Sequence, residues 1–216
     1  MDTAAFAAAL PGSFDDFPRS ETPRDPLFEE ILDELGGFAK PNNLALLATA
    51  TTLLPEGESY VEVGSFKGAS LVAASYGKEG DFVGIDDFSM GEGGRALLER
   101  NLGDFGCDNA TIIEGDAFET LRSGALAGRR VGIYYYDAGH SYEQQLEGLR
   151  LIEPYLAGEA LLIVDDSDWE RVERAVRDYL AEQPRARELL WIEGKSHGQP
   201  WWWEGVAVLA WHAESK

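Results

Sequence analysis

Between residues 60 and 166 the chain alternates two patterns. Short runs of β-branched, aromatic and aliphatic residues (YVEV at 60–63, DFVGID at 81–86, ATIIEG at 110–115, VGIYYYD at 131–137, EALLIVDD at 159–166) are separated by stretches with helical periodicity. The intervening helices are expected over ASLVAAS after Gly68, over RALLERNL, over AFETLRSGAL and over SYEQQLEGLRLIEPYL. The last of these puts Leu146, Leu149, Ile152 and Leu156 on its buried side. Continuous apolar runs linked by helices suit parallel strands covered on both faces, and their acidic ends then fall on the carboxyl edge, where open α/β sheets bind ligands.

The two ends of the chain differ from this middle. After an amphipathic stretch, WERVERAVRDYLAEQ, two strand-like runs (RELLWIEG and GVAVLAWH) are joined by KSHGQPWWWE, which has no helix long enough for a parallel crossover, so an antiparallel pair at the sheet edge is expected. Before the first strand, Pro26 opens LFEEILDELGGF and Pro41 opens NNLALLATATTLL, two helices. Residues 1–26, punctuated by Pro11, Pro18, Pro23 and Pro26, read as a short helix and an irregular arm, which either covers a site or packs loosely as a terminus. The expected organisation is a single domain, with an arm and helices over 1–57 packed on a ligand-binding core over 58–216.

The change of period at residues 60–70, YVEVGSFKGAS, marks a strand entering a helix through a glycine turn. Gly64 lets the backbone pass close beneath a ligand, and Gly68 lets the helix start close to the strand. Glu62, near the end of a buried strand, needs an ammonium group or a set of hydroxyl or N–H donors beside it. The spacing is ExGxxxG rather than the GxGxxG of dinucleotide sites.

Charge narrows the partners. With 39 acidic and 18 basic residues the formal charge is −21, which repels nucleic-acid phosphates and anionic membranes, so neither is an expected partner. Cys107 is the only cysteine and no internal disulfide can form; the initial run carries Asp2 where a leader would carry a base, so a cytoplasmic protein is expected.

The ExGxxxG run resembles the first motif of class I S-adenosylmethionine-dependent methyltransferases. The segment DAGHSYEQQLEGLRLIEPYLAGEALLIVDD is similar to the family that holds macrocin-type sugar O-methyltransferases and cephalosporin hydroxylase-like proteins, with departures at Ala138 and Glu159. The resemblance implies a Rossmann-like α/β fold: a mostly parallel seven-stranded sheet with an antiparallel C-terminal strand and helices on both faces. It also implies methyl transfer from S-adenosylmethionine, Phe88 against the adenine face, Asp116 with the Ala117 N–H at the adenine edge, and a divalent cation on Asp137, Asp165 and Asp166.

The residues themselves give a parallel reading. Asp86 stands 22 positions after Gly64 at the end of the second strand, where a carboxylate can accept both ribose hydroxyl protons, as it does in nicotinamide sites. With Phe88, Asp116 and Ala117 added as the resemblance implies, Glu62, Gly64, Ser65, Gly68, Asp86, Asp87, Phe88, Asp116, Ala117 and Asp137 form the expected cofactor set, Phe88 having core packing as its alternative. Asp137, Asp165 and Asp166 are oxygen ligands from adjacent strand ends and suit Mg²⁺. The alternative is that Asp165 or Asp166 caps the helix near Asp168 while Asp137 meets the cofactor's ammonium. His140 is the expected general base, with Asp137 beside it as the second catalytic position. Tyr142, His197, Trp201, Trp202 and Trp203 are expected at the acceptor, packing under the sheet edge being the alternative for the tryptophans. The function read from these positions is O-methylation of a small hydroxylated molecule, a sugar or natural product, with further copies of the chain as the only protein partner considered. A cofactor-binding protein without turnover and a nucleotide-dependent oxidoreductase are the competing readings.

Overall fold

The computed structural model describes residues 1–19, 22–195 and 199–213. Its strands are β1 (Ser59–Val63), β2 (Asp81–Asp86), β3 (Ala110–Glu114), β4 (Val131–Tyr136), β5 (Leu156–Asp165), β6 (Ala186–Ile192) and β7 (Val206–His212), in the sheet order β3-β2-β1-β4-β5-β7-β6. The first five run parallel, and β7 lies antiparallel between β5 and β6. Chain progression reverses between β1 and β4, which opens a crevice at their carboxyl ends. Gly64 stands at that reversal with φ +91°, and a Cβ there would lie 1.7 Å from the Asp137 carbonyl oxygen. Only glycine fits where the exits of β1 and β4 cross so closely.

The helices are α1 (Thr3–Ala9), α2 (Leu27–Leu35), α3 (Pro41–Thr52), α4 (Ala69–Ser75), α5 (Gly94–Asp104), α6 (Ala117–Arg122), α7 (Tyr142–Ile152) and α8 (Glu170–Glu182). Alternation along the strands divides the interior in two. Tyr60, Ile133, Tyr135, Leu161 and Ile163 face one core with Phe6, Ile31, Leu44 and Leu71. Val61, Val63, Tyr134, Leu162 and Val164 face the other with Leu149, Val172 and Tyr179. The helix expected to run through Leu156 stops at Ile152, and Glu153–Tyr155 form a 3₁₀ turn before Leu156 opens β5. Pro154 explains this, since it lacks the N–H that a further turn needs and its ring clashes with the preceding turn. The helix after Asp116 likewise ends at Arg122, short of the AFETLRSGAL run, with Gly124 in a left-handed conformation just beyond.

The N-terminal arm is built into this framework. Phe6, Leu10 and Phe14 are buried, the Thr3 N–H and hydroxyl both donate to Glu159, and the Ser13 and Thr49 hydroxyls pair at 2.7 Å. Trp202, 1 % exposed, donates its indole N–H to the Pro18 carbonyl at 2.8 Å and packs on Phe14 and Phe17 at 5.3 and 6.1 Å. Trp202→Ala is therefore expected to destabilise the protein by about 3–5 kcal/mol through the cavity it leaves. Denaturant titration measures this, and a change under about 1 kcal/mol would mean that the arm does not depend on the indole.

Candidate active site

The turn after β1 is held from beneath. Glu62 is wholly buried, and its carboxyl accepts the Tyr60 hydroxyl at 2.6 Å and the Ser70 hydroxyl at 3.1 Å. Burial raises its pKa to about 7, with the hydroxyl donors pulling the other way. Of the two kinds of partner the sequence demanded, the described residues supply hydroxyls. Ser65 is buried, its hydroxyl lying where a Cβ on Gly84 would fall. Gly68, at φ +94°, caps α4 so close to α5 that a Cβ there would meet Leu98 at 2.3 Å.

Asp86 joins the turns after β1 and β2. Its two oxygens accept the backbone N–H groups of Phe66 at 2.7 Å and Phe88 at 2.6 Å, leaving lone pairs on both for further donors. Asp87 is exposed and accepts the Ser89 N–H at 2.8 Å, and hydrogen bonds from Ser89 hold its carboxyl below the usual range. Phe88 is half-buried against the first core. At the end of β3, the Asp116 carboxylate caps α6 by accepting the Glu119 N–H at 2.8 Å, and Ala117 opens that helix.

The acidic strand ends point two ways around Asp137. Asp165 continues the face of Tyr135 and Ile163, so its carboxyl turns toward α3 and accepts the Tyr135 hydroxyl at 2.8 Å and the Asn43 amide at 3.3 Å. Burial, then Asp166, raises its pKa to about 7. Asp166 leaves the strand at φ +54°, which carries its carboxyl the other way, with Oδ2 3.2 Å from His140 Nε2. That nitrogen is 4.0 Å from Asp137 Oδ1, and one ligand atom from each of Asp137, His140 and Asp166 lies within 4.8 Å of the other two. Of the Asp137, Asp165 and Asp166 expected together from the sequence, Asp137 and Asp166 converge with His140, while Asp165 faces the other way and reaches Asp137 only through the Tyr135 hydroxyl, which is 3.3 Å from Asp137 Oδ2. Neither Asp165 nor Asp166 caps α8, whose cap position is Trp169 without a side-chain bond.

The electrostatics of this cluster favour a neutral imidazole. Burial, then Arg171, lowers the His140 pKa. Burial, then Glu204, raises Asp166 to about 6, and burial, then Asp165 and Asp166, raises Asp137. His140 is 22 % exposed and packs edge-on to Trp169 at 5.1 Å, while Arg171 covers Trp169 at 4.7 Å. His140 Nδ1 and Asp166 Oδ1 are buried without hydrogen-bond partners among the described residues.

The positions expected at the acceptor disperse. Tyr142 donates to Asp178 at 2.9 Å beneath Arg174, tying α7 to α8, and Trp202 belongs to the arm core described above. Trp201 is half-buried against the first core, and His197 lies outside the described residues. Trp203 alone of the three tryptophans turns to the carboxyl edge, 6.2 Å from Phe38, which is 5.5 Å from Phe66. Phe38, Phe66, Trp169, Tyr135 and Asn43 had no place in the sequence reading. For Phe38 a signal existed, since an aromatic residue directly after two glycines serves no helix face. Among the described residues the non-glycine positions with left-handed φ are Phe66, Phe88, Asp166 and Trp203, all at this edge. Such strain, about 1–3 kcal/mol per residue, collects at functional sites.

Comparison with known proteins agrees with this fold. Residues 61–167 match the family model described as a methyltransferase domain. An O-methyltransferase from Bacillus cereus, solved with S-adenosylhomocysteine, superposes with TM-score 0.64 at 13% identity, over 98% of this chain and 100% of that one. A methyltransferase from Geobacter sulfurreducens gives 0.61 at 19% identity over 99% and 98%. The TDP-rhamnose 3'-O-methyltransferase of calicheamicin biosynthesis gives 0.58 at 20% identity over 97% and 94%. No protein of curated function matches the sequence. Among the described residues no helix is long and apolar enough to cross a membrane. At these identities the superpositions carry the fold, the family match carries the activity, and the chain belongs to the class I S-adenosylmethionine-dependent methyltransferases.

Proposed function

We propose that the protein transfers a methyl group from S-adenosylmethionine to a hydroxyl oxygen of a small molecule, with His140 accepting the hydroxyl proton. The observation that carries this reading is the convergence of Asp137, His140 and Asp166 beside the Gly64 turn at the sheet's reversal point. Two of the solved relatives bear O-methyltransferase titles, one acting on a nucleotide sugar, which supports oxygen as the methylated atom.

In this reading Asp86 accepts the ribose hydroxyls on its remaining lone pairs, Phe88 lines the adenine side and Gly64 gives the cofactor room against the backbone. His140, neutral at physiological pH, takes the acceptor proton while the new C–O bond forms and the S–C bond breaks, leaving a neutral thioether. Asp166 orients the imidazole through Nε2. The rate then comes from holding acceptor oxygen and methyl carbon in line and from removing the proton.

Asp137 and Asp166 also fit a divalent cation, since Asp166 Oδ1 is buried with no hydrogen-bond partner among the described residues, and burial together with neighbouring carboxylates pushes both carboxyl groups toward protonation. A cation held there would supply Lewis acidity at the acceptor oxygen. The imidazole at the same cluster widens the expected metals from Mg²⁺ to Mn²⁺.

The test begins with calorimetry of S-adenosylhomocysteine. Asp86→Ala should weaken binding at least about tenfold, since it removes charge-assisted hydrogen bonds and frees the Phe66 and Phe88 loops. Unchanged affinity in a folded variant removes Asp86 from the site. Binding by the wild-type chain without methyl transfer to any hydroxylated acceptor would leave the non-catalytic reading standing instead.

A further inference from the structure

The aromatic group at the carboxyl edge has chemistry that the transfer step does not use. Phe38 from the loop between α2 and α3, Phe66 from the glycine turn and Trp203 from the loop before β7 come from three separate segments, yet their rings meet. Phe38 remains 53 % exposed, and exposed aromatic clusters on a soluble fold mark binding surfaces. Their place is fixed from both sides. The Phe66 N–H is bound to Asp86, and Trp203 precedes Glu204 and Gly205, whose carbonyls accept the N–H groups of Asp168 and Ser167. The rings therefore lie between the cofactor turn and the loop bonded to the segment that follows Asp166.

Charge distinguishes this rim from the rest of the molecule. In a chain of net charge −21, two ammonium groups stand over these rings, Lys40 at 5.9 Å from Trp203 and Lys67 at 4.9 Å from Phe66. Lys67 is paired with Glu92 at 2.7 Å, whereas Lys40 has no acidic partner among the described residues. Stacked rings alone would suit a sugar face or any planar group. Rings beside an unpaired ammonium suit a planar ring that carries a negative charge.

We propose that Phe38, Phe66, Trp203 and Lys40 form the acceptor subsite, and that the acceptor is a hydroxylated planar ring bearing an anionic group, with Lys40 reading the charge. The inference rests on the methyltransferase reading and narrows its acceptor.

The experiment saturates the protein with S-adenosylhomocysteine and titrates it with 4-hydroxybenzoate, its methyl ester and methyl glucoside, read by calorimetry. The benzoate should bind about tenfold or more tighter than the glucoside and several-fold tighter than the ester. Trp203→Ala and Phe38→Ala should each weaken the benzoate by roughly fivefold to tenfold, and Lys40→Gln should abolish the preference for acid over ester. All three variants should keep the wild-type affinity for S-adenosylhomocysteine, which also shows that they fold. Absence of benzoate binding, glucoside binding as tight as benzoate, or benzoate binding indifferent to the variants overturns the proposal. Failure of the wild-type protein to bind S-adenosylhomocysteine overturns the methyltransferase reading beneath it instead, so the two failures are distinct.

Discussion

His140→Ala is expected to lose about 10²- to 10⁴-fold in kcat while still binding S-adenosylhomocysteine with the wild-type affinity, the magnitude typical of removing a general base. The imidazole is suited to this because burial and Arg171 hold it neutral and Asp166, 3.2 Å from Nε2, fixes its orientation. Added imidazole should restore part of the turnover. Exhaustive chelation should abolish turnover and Mg²⁺ or Mn²⁺ should restore it, and Asp166→Asn should raise the cation concentration required. Titrating Mn²⁺ into His140→Ala separates the two roles the cluster offers this residue. Unchanged cation affinity keeps it as the base, and a loss of tenfold or more makes it a ligand. Full turnover with verified absence of metal would remove the cation from the site.

Lowering the pH from 8 to 5 should stabilise the ligand-free protein through Glu62. Its folded pKa of about 7 lies above the 4.5 of a free glutamate, so the folded state binds this proton more tightly than the unfolded chain does. The contribution is fully present below about pH 4.5 and is lost as pH rises through about 7, where the buried carboxylate ionises. The span corresponds to roughly 3 kcal/mol, or on the order of 10 °C in Tm for a chain of this size. Glu62→Gln keeps the shape and the neutral form, so its melting temperature should gain on the wild type at pH 8 and match it near pH 5. Parallel pH profiles for the two proteins would show that Tyr60 and Ser70 already stabilise the carboxylate in full. Tyr60→Phe, which removes the shorter of the two hydroxyl bonds, should then steepen the wild-type profile.

Strand ends and the helices between them were legible in the sequence because their signals are local. The runs at 81–86 and 131–137 need only their own residues to read as strands, and the need for glycine at position 64 was legible although the sequence pointed to a ligand above it where the structure has the Asp137 carbonyl. The need of Glu62 for donors was also legible, and Tyr60 two residues back on the same strand face was available to supply one. What the sequence could not give depends on backbone angles and on distant segments. Asp165 and Asp166 read as a pair, yet alternation sends one toward Asn43 while a left-handed φ sends the other to His140. Three consecutive tryptophans read as one aromatic loop. Their division into one arm anchor, one core residue and one rim residue depends on Phe14, Pro18 and Phe38, which are far away along the chain. At Pro154 the missing N–H outweighs the apolar spacing of Leu156, so the helix ends at Ile152 although the periodicity runs on.

The bond from the Trp202 indole to the Pro18 carbonyl bears on how such a protein can diversify. The residues proposed to hold the cofactor lie on turns at the carboxyl edge of the parallel sheet. Apart from Phe66, the residues proposed to choose the acceptor lie on the 36–40 loop and the segment before β7, and Trp202 fastens that segment to the arm. Neighbouring Trp202 and Trp203 thus link a steric anchor to a recognition ring, so the arm, the 36–40 loop and the 199–205 loop would have to be exchanged together, whereas exchange of the 199–205 loop alone would separate the ring from its support. Acceptor choice can then be altered as a cassette while Asp86, Gly64 and His140 stay untouched.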